Sequence, residues 1–115
     1  MSFAESQLAE FRESGLCDLA EPDQDGGIPL LRIKGLRVPL SSGARVLDAV
    51  LCPTTHAGYH TRLFFAENLG PFASRTANWN PVVWFGATWF APSWQGVSPD
   101  LTITQMVATH LQALR

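Results

Sequence analysis

Four tryptophans, at every fifth position from Trp79 to Trp94, constrain the fold of this chain more than any other feature. The segment that carries them is interrupted by Gly and Pro, and its five-residue spacing matches the period of neither a helix nor a strand. Large, rigid aromatic rings bury much area at a small entropic cost, so such a segment can pack through its own side chains. We therefore predict a long, ordered, Trp-rich loop, and ordered loops of this length commonly have a function.

The segment after Trp94 predicts a C-terminal helix. Thr102 and Gln105 have the spacing of a capping box, in which two side chains bind backbone N–H groups at a helix start. The residues that follow place one mostly apolar face over three turns: Ile103, Met106, Val107, His110, Leu111 and Leu114. This periodicity is typical of an amphipathic helix that packs on a core.

The N-terminus predicts a second helix. Ser2 and Glu5 also have capping-box spacing, and Gly15 is a plausible stop signal, so we expect a helix over about residues 3–14. The polar run at 21–27 contains Pro22 and two adjacent glycines, which is typical of a flexible loop.

Four apolar segments then predict strands, at residues 28–33, 36–40, 45–52 and 59–65. Short turns separate them, which favours a four-stranded antiparallel meander. The predicted fold is therefore α+β, with an N-terminal helix, the meander, the long Trp-rich loop and the C-terminal helix in that order.

Length and charge limit the function. A chain of 115 residues is typical of one domain, so we expect a single domain over residues 1–115. Only 16% of the residues are charged, which suggests that a partner covers part of the surface. The net charge of −2, without a run of like charges, argues against nucleic-acid binding. No stretch approaches the about 18 apolar residues of a membrane span, and we expect a cytoplasmic protein that binds no membrane.

Cysteine and histidine spacing gives no cofactor or metal site. Cys17 and Cys52 are too few for a disulfide framework, although one disulfide remains open. His56 and His60 have a spacing that suits zinc on a helix, but Pro and Gly around them favour a turn, and a third ligand could come only from the distant His110. No Gly-rich phosphate loop occurs. We therefore expect no metal and no cofactor.

The element order and the segment around Trp94 resemble the ubiquitin-conjugating enzyme family. In that family a Trp ends the catalytic loop and a Ser-Pro-Ala-Leu-Thr-Ile type of segment begins the next helix. Here Trp94 and the segment Ser98-Pro99-Asp100-Leu101-Thr102-Ile103 are similar, with an insertion between them. The short chain and the Gly-Tyr-x-Thr-Arg-Leu-Phe-Phe segment at 58–65 resemble the compact prokaryotic branch of the family. That branch is encoded beside a ubiquitin-like protein, an activating-enzyme-like partner and a peptidase in bacterial defence operons.

The resemblance implies a conjugating component of a bacterial, antiviral ubiquitin-like pathway, but the catalytic residues of the family are not all present. Ala87 stands near the position of the family's nucleophilic Cys, and the His-Pro-Asn segment is replaced by Asn78-Trp79-Asn80-Pro81. The remaining candidates for chemistry are Cys52, His56, His60 and Asn80. Because Cys52 ends an apolar strand, we expect it to be buried, whereas a nucleophile needs an exposed, electropositive setting.

Two regions are candidates for partner binding. The resemblance implies that the N-terminal helix docks the activating enzyme, through or supported by Phe3, Gln7, Leu8 and Phe11. Trp anchors interfaces more often than most residues, which adds Trp84, Trp89 and Trp94. Three hypotheses remain open: a conjugating enzyme, a non-catalytic scaffold that lacks the Cys and binds the ubiquitin-like protein or the activating enzyme, and an unrelated small α+β interaction module.

Overall fold

A computed structural model of the chain describes residues 3–40, 43–55, 58–72, 78–93, 96–112 and 114. In these ranges a six-stranded sheet is flanked by two helices, α1 (Glu5–Glu13) and α2 (Ile103–Gln112). The strands are β1 (Leu19–Asp25), β2 (Ile28–Val38), β3 (Arg45–Cys52), β4 (Arg62–Phe65), β5 (Trp79–Trp84) and β6 (Ala87–Pro92). All neighbouring strands are antiparallel, in the order β1-β2-β3-β4-β6-β5.

The predicted four-stranded meander followed by a long Trp-rich loop is therefore wrong. One missing strand is β1, which covers most of the polar run that we expected to be a flexible loop. β1 lies at the edge of the sheet, and Ala20 is its only buried residue. An edge strand that is mostly exposed can consist largely of polar residues. The polar composition of β1 therefore led to the prediction of a loop.

The other missing strands form a hairpin in the tryptophan segment. β5 and β6 are joined by the two-residue turn Phe85–Gly86, in which both residues have positive φ, 53° and 73°. Two positive φ values are what a type I′ hairpin turn requires. Trp84 pairs with Ala87 and Val82 pairs with Trp89, so Trp84 and Trp89 share one face of the hairpin. Their five-residue spacing thus results from two paired strands and a tight turn.

The segments at 28–33 and 36–40 belong largely to one strand. β2 continues through Lys34 and Gly35, and its register with β3 shifts between Ile33 and Leu36, which marks a β-bulge. Gly35 has φ 66°, and a Cβ at this position would collide with the carboxylate of Asp18. The positive φ therefore favours glycine here, and any larger residue would also displace the exposed side chain of Asp18.

The two helix predictions differ in outcome at the N-termini. α1 begins with Ala4 as its N-cap, without a side-chain capping hydrogen bond, and the capping box predicted at Ser2 and Glu5 involves Ser2, which lies outside the described residues. In α2 the capping box is confirmed: the backbone N–H of Gln105 donates to Thr102 Oγ1 at 3.2 Å, and that of Thr102 donates to Gln105 Oε1 at 3.1 Å.

The sheet separates two apolar clusters. On the first face, α1 and α2 contribute Leu8, Phe11, Val107 and Leu111 to a cluster over the central strands. On the second face, the hairpin residues Trp84 and Trp89 pack with side chains of the sheet: Leu30, Val50, Cys52, Phe64 and Ala91. Both faces of the central strands are consequently buried, which explains why every residue of β4 is buried.

The hairpin lies across the second face and has few backbone pairing partners in the other four strands. The ladder between β4 and β6 has one pair of partners, Phe65 and Phe90. At the far end of the hairpin, the backbone N–H of Phe85 donates to Asp25 Oδ2 at 2.7 Å. The guanidinium of Arg32 lies 4.3 Å from the centre of the Phe85 ring. Side chains therefore hold the hairpin tip against β1 and β2.

Candidate functional site

A groove crosses the end of the molecule at which both helices begin. Its centre is a depression of about 190 Å³ whose lining includes Phe3, Gln7, Pro53, Pro99, Asp100 and Leu101. The first two residues come from the start of α1, Pro53 follows β3, and the last three precede α2. We call this depression and its two extensions the Phe3–Asp100 groove.

The two extensions share lining residues with the centre. Beyond Asp100 lies a depression of about 350 Å³ that His60, Gly96 and Ser98 also line. Beyond Phe3 lies a third one, of about 380 Å³, which Glu5 and Asp23 also line. The three depressions therefore adjoin one another at Phe3 and at Pro99 and Asp100.

A buried hydrogen-bond network fixes one wall of the groove. Thr61 Oγ1 donates to the carbonyl oxygen of Val97 at 3.0 Å, and it lies 2.8 Å from His110 Nε2. Since the hydroxyl has only one hydrogen, it accepts from Nε2–H, which sets the tautomer of His110. Through these hydrogen bonds Thr61, just before β4, connects His110 of α2 with Val97 of the segment before α2. Buried contacts thus fix this wall of the groove.

His110 serves this structural role as a neutral side chain. Burial and, second to it, the nearby positive charge of Arg62 lower the pKa of His110 to about 4. The ring is therefore uncharged at neutral pH, and its Nε2 is occupied as a donor to Thr61. It cannot act as a general base through that nitrogen.

Arg62 organises a second polar cluster, under the base of the hairpin. Its Nη2 donates to Asn80 Oδ1 at 3.2 Å and to the carbonyl oxygens of Ala91 and Pro92 at 3.2 and 3.0 Å. Its guanidinium also lies 4.1 Å from the centre of the Tyr59 ring. Burial lowers the pKa of Arg62, but these acceptors and the aromatic ring hold its cationic form. One side chain thus links β4 to both strands of the hairpin.

Neither cysteine is prepared for nucleophilic chemistry. Burial raises the pKa of the Cys52 thiol, and its Sγ lies within hydrogen-bond distance, 3.4 Å, of the carbonyl oxygen of Thr54. Burial, followed by the charge of Asp18, raises the pKa of the Cys17 thiol as well. Both thiols are free and buried. Since the thiolate is the reactive form, both side chains are unreactive in this conformation.

The residues predicted around the N-terminal helix divide between surface and core. Phe3 and Gln7 line the centre of the groove, and the exposed His60 lines one extension. Leu8 and Phe11 are almost completely buried, and of the two only Leu8 lines part of the groove, in the extension beyond Phe3. Their assignment to partner binding stays a prediction.

The other predicted residues lie away from the groove or outside the described residues. Trp84 and Trp89 are buried in the second apolar cluster, and Asn80 accepts the hydrogen bond from Arg62. Ala87 is exposed at the start of β6, beside the hairpin turn. His56 and Trp94 lie outside the described residues. Cys52, His60 and Asn80 are not hydrogen-bonded to one another. The Sγ of Cys52 instead lies within hydrogen-bond distance of the carbonyl oxygen of Thr54.

Sequence reasoning missed four residues that build these sites: Arg62, Pro53, Pro99 and Asp100. A lone cation within the apolar run Arg62-Leu63-Phe64-Phe65 was a usable signal, because alternation directs it toward a covered face. The two prolines and Asp100 gave no comparable signal, since their meeting depends on the tertiary fold.

Metal ligands, membrane-spanning helices and similarity to known proteins do not help to assign a function to this site. Within the described ranges, no three His, Cys, Asp or Glu side chains converge as a metal site would require. In the same ranges, no helix is both long and apolar enough to span a membrane. The comparisons with known proteins give no match. No family model, no curated protein and no solved structure matches this chain.

Proposed function

We propose that this chain is a non-catalytic protein-binding domain and that the Phe3–Asp100 groove receives the partner. The supporting observation is the contrast between an accessible, largely apolar groove and two buried thiols with raised pKa values. The apolar centre of the groove has a volume of only about 190 Å³, and it opens into two wider extensions. It suits one apolar side chain of a protein partner.

We further propose that the partner is a ubiquitin-like protein or its activating-enzyme-like partner, in a bacterial, antiviral conjugation pathway. This choice rests on the sequence resemblance around Ser98 and Pro99. It is supported by the position of Phe3 and Gln7, which lie in the groove at the helix that the resemblance implies for docking. In this role the chain would be a scaffold and would carry no thioester.

Co-purification with the two candidate partners tests this proposal. The chain is mixed with each partner and ATP, and the products are examined by size-exclusion chromatography, non-reducing gel and intact mass. We expect a complex without a thiol-sensitive adduct. Gln7→Ala and Phe3→Ala should weaken the complex, whereas Val46→Ala, a truncation at an exposed position outside the groove, should not.

Two results would overturn the proposal. A thiol-sensitive adduct that is lost in Cys52→Ser or Cys17→Ser would make the chain an enzyme. A complex that survives both groove substitutions would place the binding surface elsewhere. Thermal melting of each variant separates loss of binding from loss of folding, because Phe3 also packs against the core.

A further inference from the structure

We infer that the Phe3–Asp100 groove recognises a segment in which an apolar side chain is flanked by Lys or Arg. This inference rests on the proposed protein-binding function and adds the charge and shape of the segment that binds. It follows from the distribution of charge around the groove and from the composition of its floor.

The charged side chains around the groove are acidic. Glu5, Asp23 and Asp100 line its three depressions, and none of the described lining residues is a Lys or Arg. Asp23 lies 3.6 Å from Arg32 Nη1, so its charge is largely balanced. Glu5 and Asp100 form no ion pair with another described residue. Two carboxylates are therefore available to a partner.

The helix ends do not reverse this charge. α1 and α2 both begin at the groove, and a helix N-terminus carries roughly +0.5 of an elementary charge. Two such ends offset about one of the two negative charges of Glu5 and Asp100, which leaves a net charge of about −1. Because Glu5 and Asp100 already neutralise both helix ends, the groove does not favour an anionic partner. A cationic side chain would find a favourable potential.

The floor between the carboxylates is apolar. Phe3, Pro53, Leu101 and Met106 line the central depression, and proline has no N–H to donate to a ligand. An apolar side chain placed there removes this surface from water and supplies most of the affinity. Basic residues on either side would then lie near Glu5 and Asp100, where exposed ion pairs mainly set specificity and association rate.

Selection from a library of random peptides tests the inference on the full chain. Peptides that bind should share an apolar residue with Lys or Arg within a few positions of it. For a selected peptide, the combined change Glu5→Gln and Asp100→Asn should weaken binding by about three- to tenfold at low salt and by less at high salt. Fluorescence polarisation measures both effects. Glu13→Gln, which removes an exposed carboxylate of α1 outside the groove, should leave the affinity unchanged.

The outcomes separate this inference from the proposed function. Two results would overturn the charge assignment: selected peptides whose binding depends on Phe3 but that lack basic residues, or an affinity that does not change with Glu5→Gln and Asp100→Asn. In either case the groove would remain the binding site. Failure to select any peptide would overturn this inference alone, because the proposed function is tested with folded partners, whereas peptide binding that persists in Phe3→Ala and Gln7→Ala would overturn the assignment of the groove in both. Circular dichroism and melting temperature confirm that each variant is folded, and Glu5→Gln alone provides a second test that leaves α2 untouched.

Discussion

His110 makes the fold sensitive to acid at the scale of a single residue. Its folded-state pKa of about 4 lies below the ordinary value of 6.5, so between these values the unfolded chain binds a proton that the folded chain does not. Stability from this source is complete above pH 6.5 and is lost as the pH falls toward 4, by about 3 kcal/mol in total. His110→Gln keeps a donor for Thr61 and does not titrate. Chemical denaturation at pH 7 and pH 4.5 should show a smaller loss for the variant; equal losses would contradict the prediction.

Arg62 should contribute more to stability than an exposed arginine. Arg62→Ala removes the donor for Asn80 and for two backbone carbonyls, all near the base of the hairpin, and should cost about 2–4 kcal/mol. Arg37→Ala is a matched control, since Arg37 pairs with Asp18 at the surface and such a pair is worth about 1 kcal/mol or less. Urea denaturation of both variants gives the comparison. Equal effects would show that the buried contacts of Arg62 add no stability.

At the scale of elements, the hairpin should open more easily when its tip is released. Asp25→Ala removes the acceptor for the backbone N–H of Phe85, a charge-assisted hydrogen bond worth about 1.5–3 kcal/mol. Cys52 lies under the hairpin and Cys17 lies in the other cluster, so maleimide labelling distinguishes local opening from global unfolding. We expect at least about tenfold faster labelling of Cys52, with Cys17 little changed.

Asp48→Ala is the control for that experiment. Asp48 also accepts a backbone N–H, from Gly35 at 3.2 Å, but it lies at the β-bulge and not under the hairpin. Its removal should leave the ratio of the two labelling rates unchanged. Parallel acceleration of Cys17 and Cys52 in Asp25→Ala would mean that the hairpin does not open separately.

The elements differ in how far local sequence determines them. α2 was predictable because its capping box and apolar face both lie within a few residues, and β3 was predicted with its observed ends, Arg45 and Cys52. The hairpin was not predictable, because Phe85 occupies a turn position that normally favours Asn, Asp or Gly. Its positive φ is tolerated through contacts with Asp25 and Arg32, which are distant in sequence. For the same reason Phe3, Gln7 and His60 could be named as candidates, but the groove could not.

At the scale of the whole molecule, prolines near the middle of both edge strands should limit association through the sheet. β1 contains Pro22 between two acidic residues, and β5 contains Pro81 between Asn80 and Val82. Proline cannot donate a ladder hydrogen bond, and edge strands commonly use it to prevent pairing with another chain. Pro81→Val would remove the proline from a mostly apolar edge strand and should promote association, visible by light scattering at increasing concentration. Pro22→Val should remain monomeric because Glu21 and Asp23 repel a second copy, and association of both variants alike would contradict this reasoning.

The position of the sheet between two separate apolar clusters has a consequence for how this protein can diverge. Side chains on opposite faces do not share packing partners, so substitutions on the two faces should have nearly additive effects on stability. A lineage could therefore remodel the groove beside the helices, and with it the choice of partner, while the hairpin side continued to maintain the fold. The sheet would in this sense separate a half that can change from a half that maintains the fold.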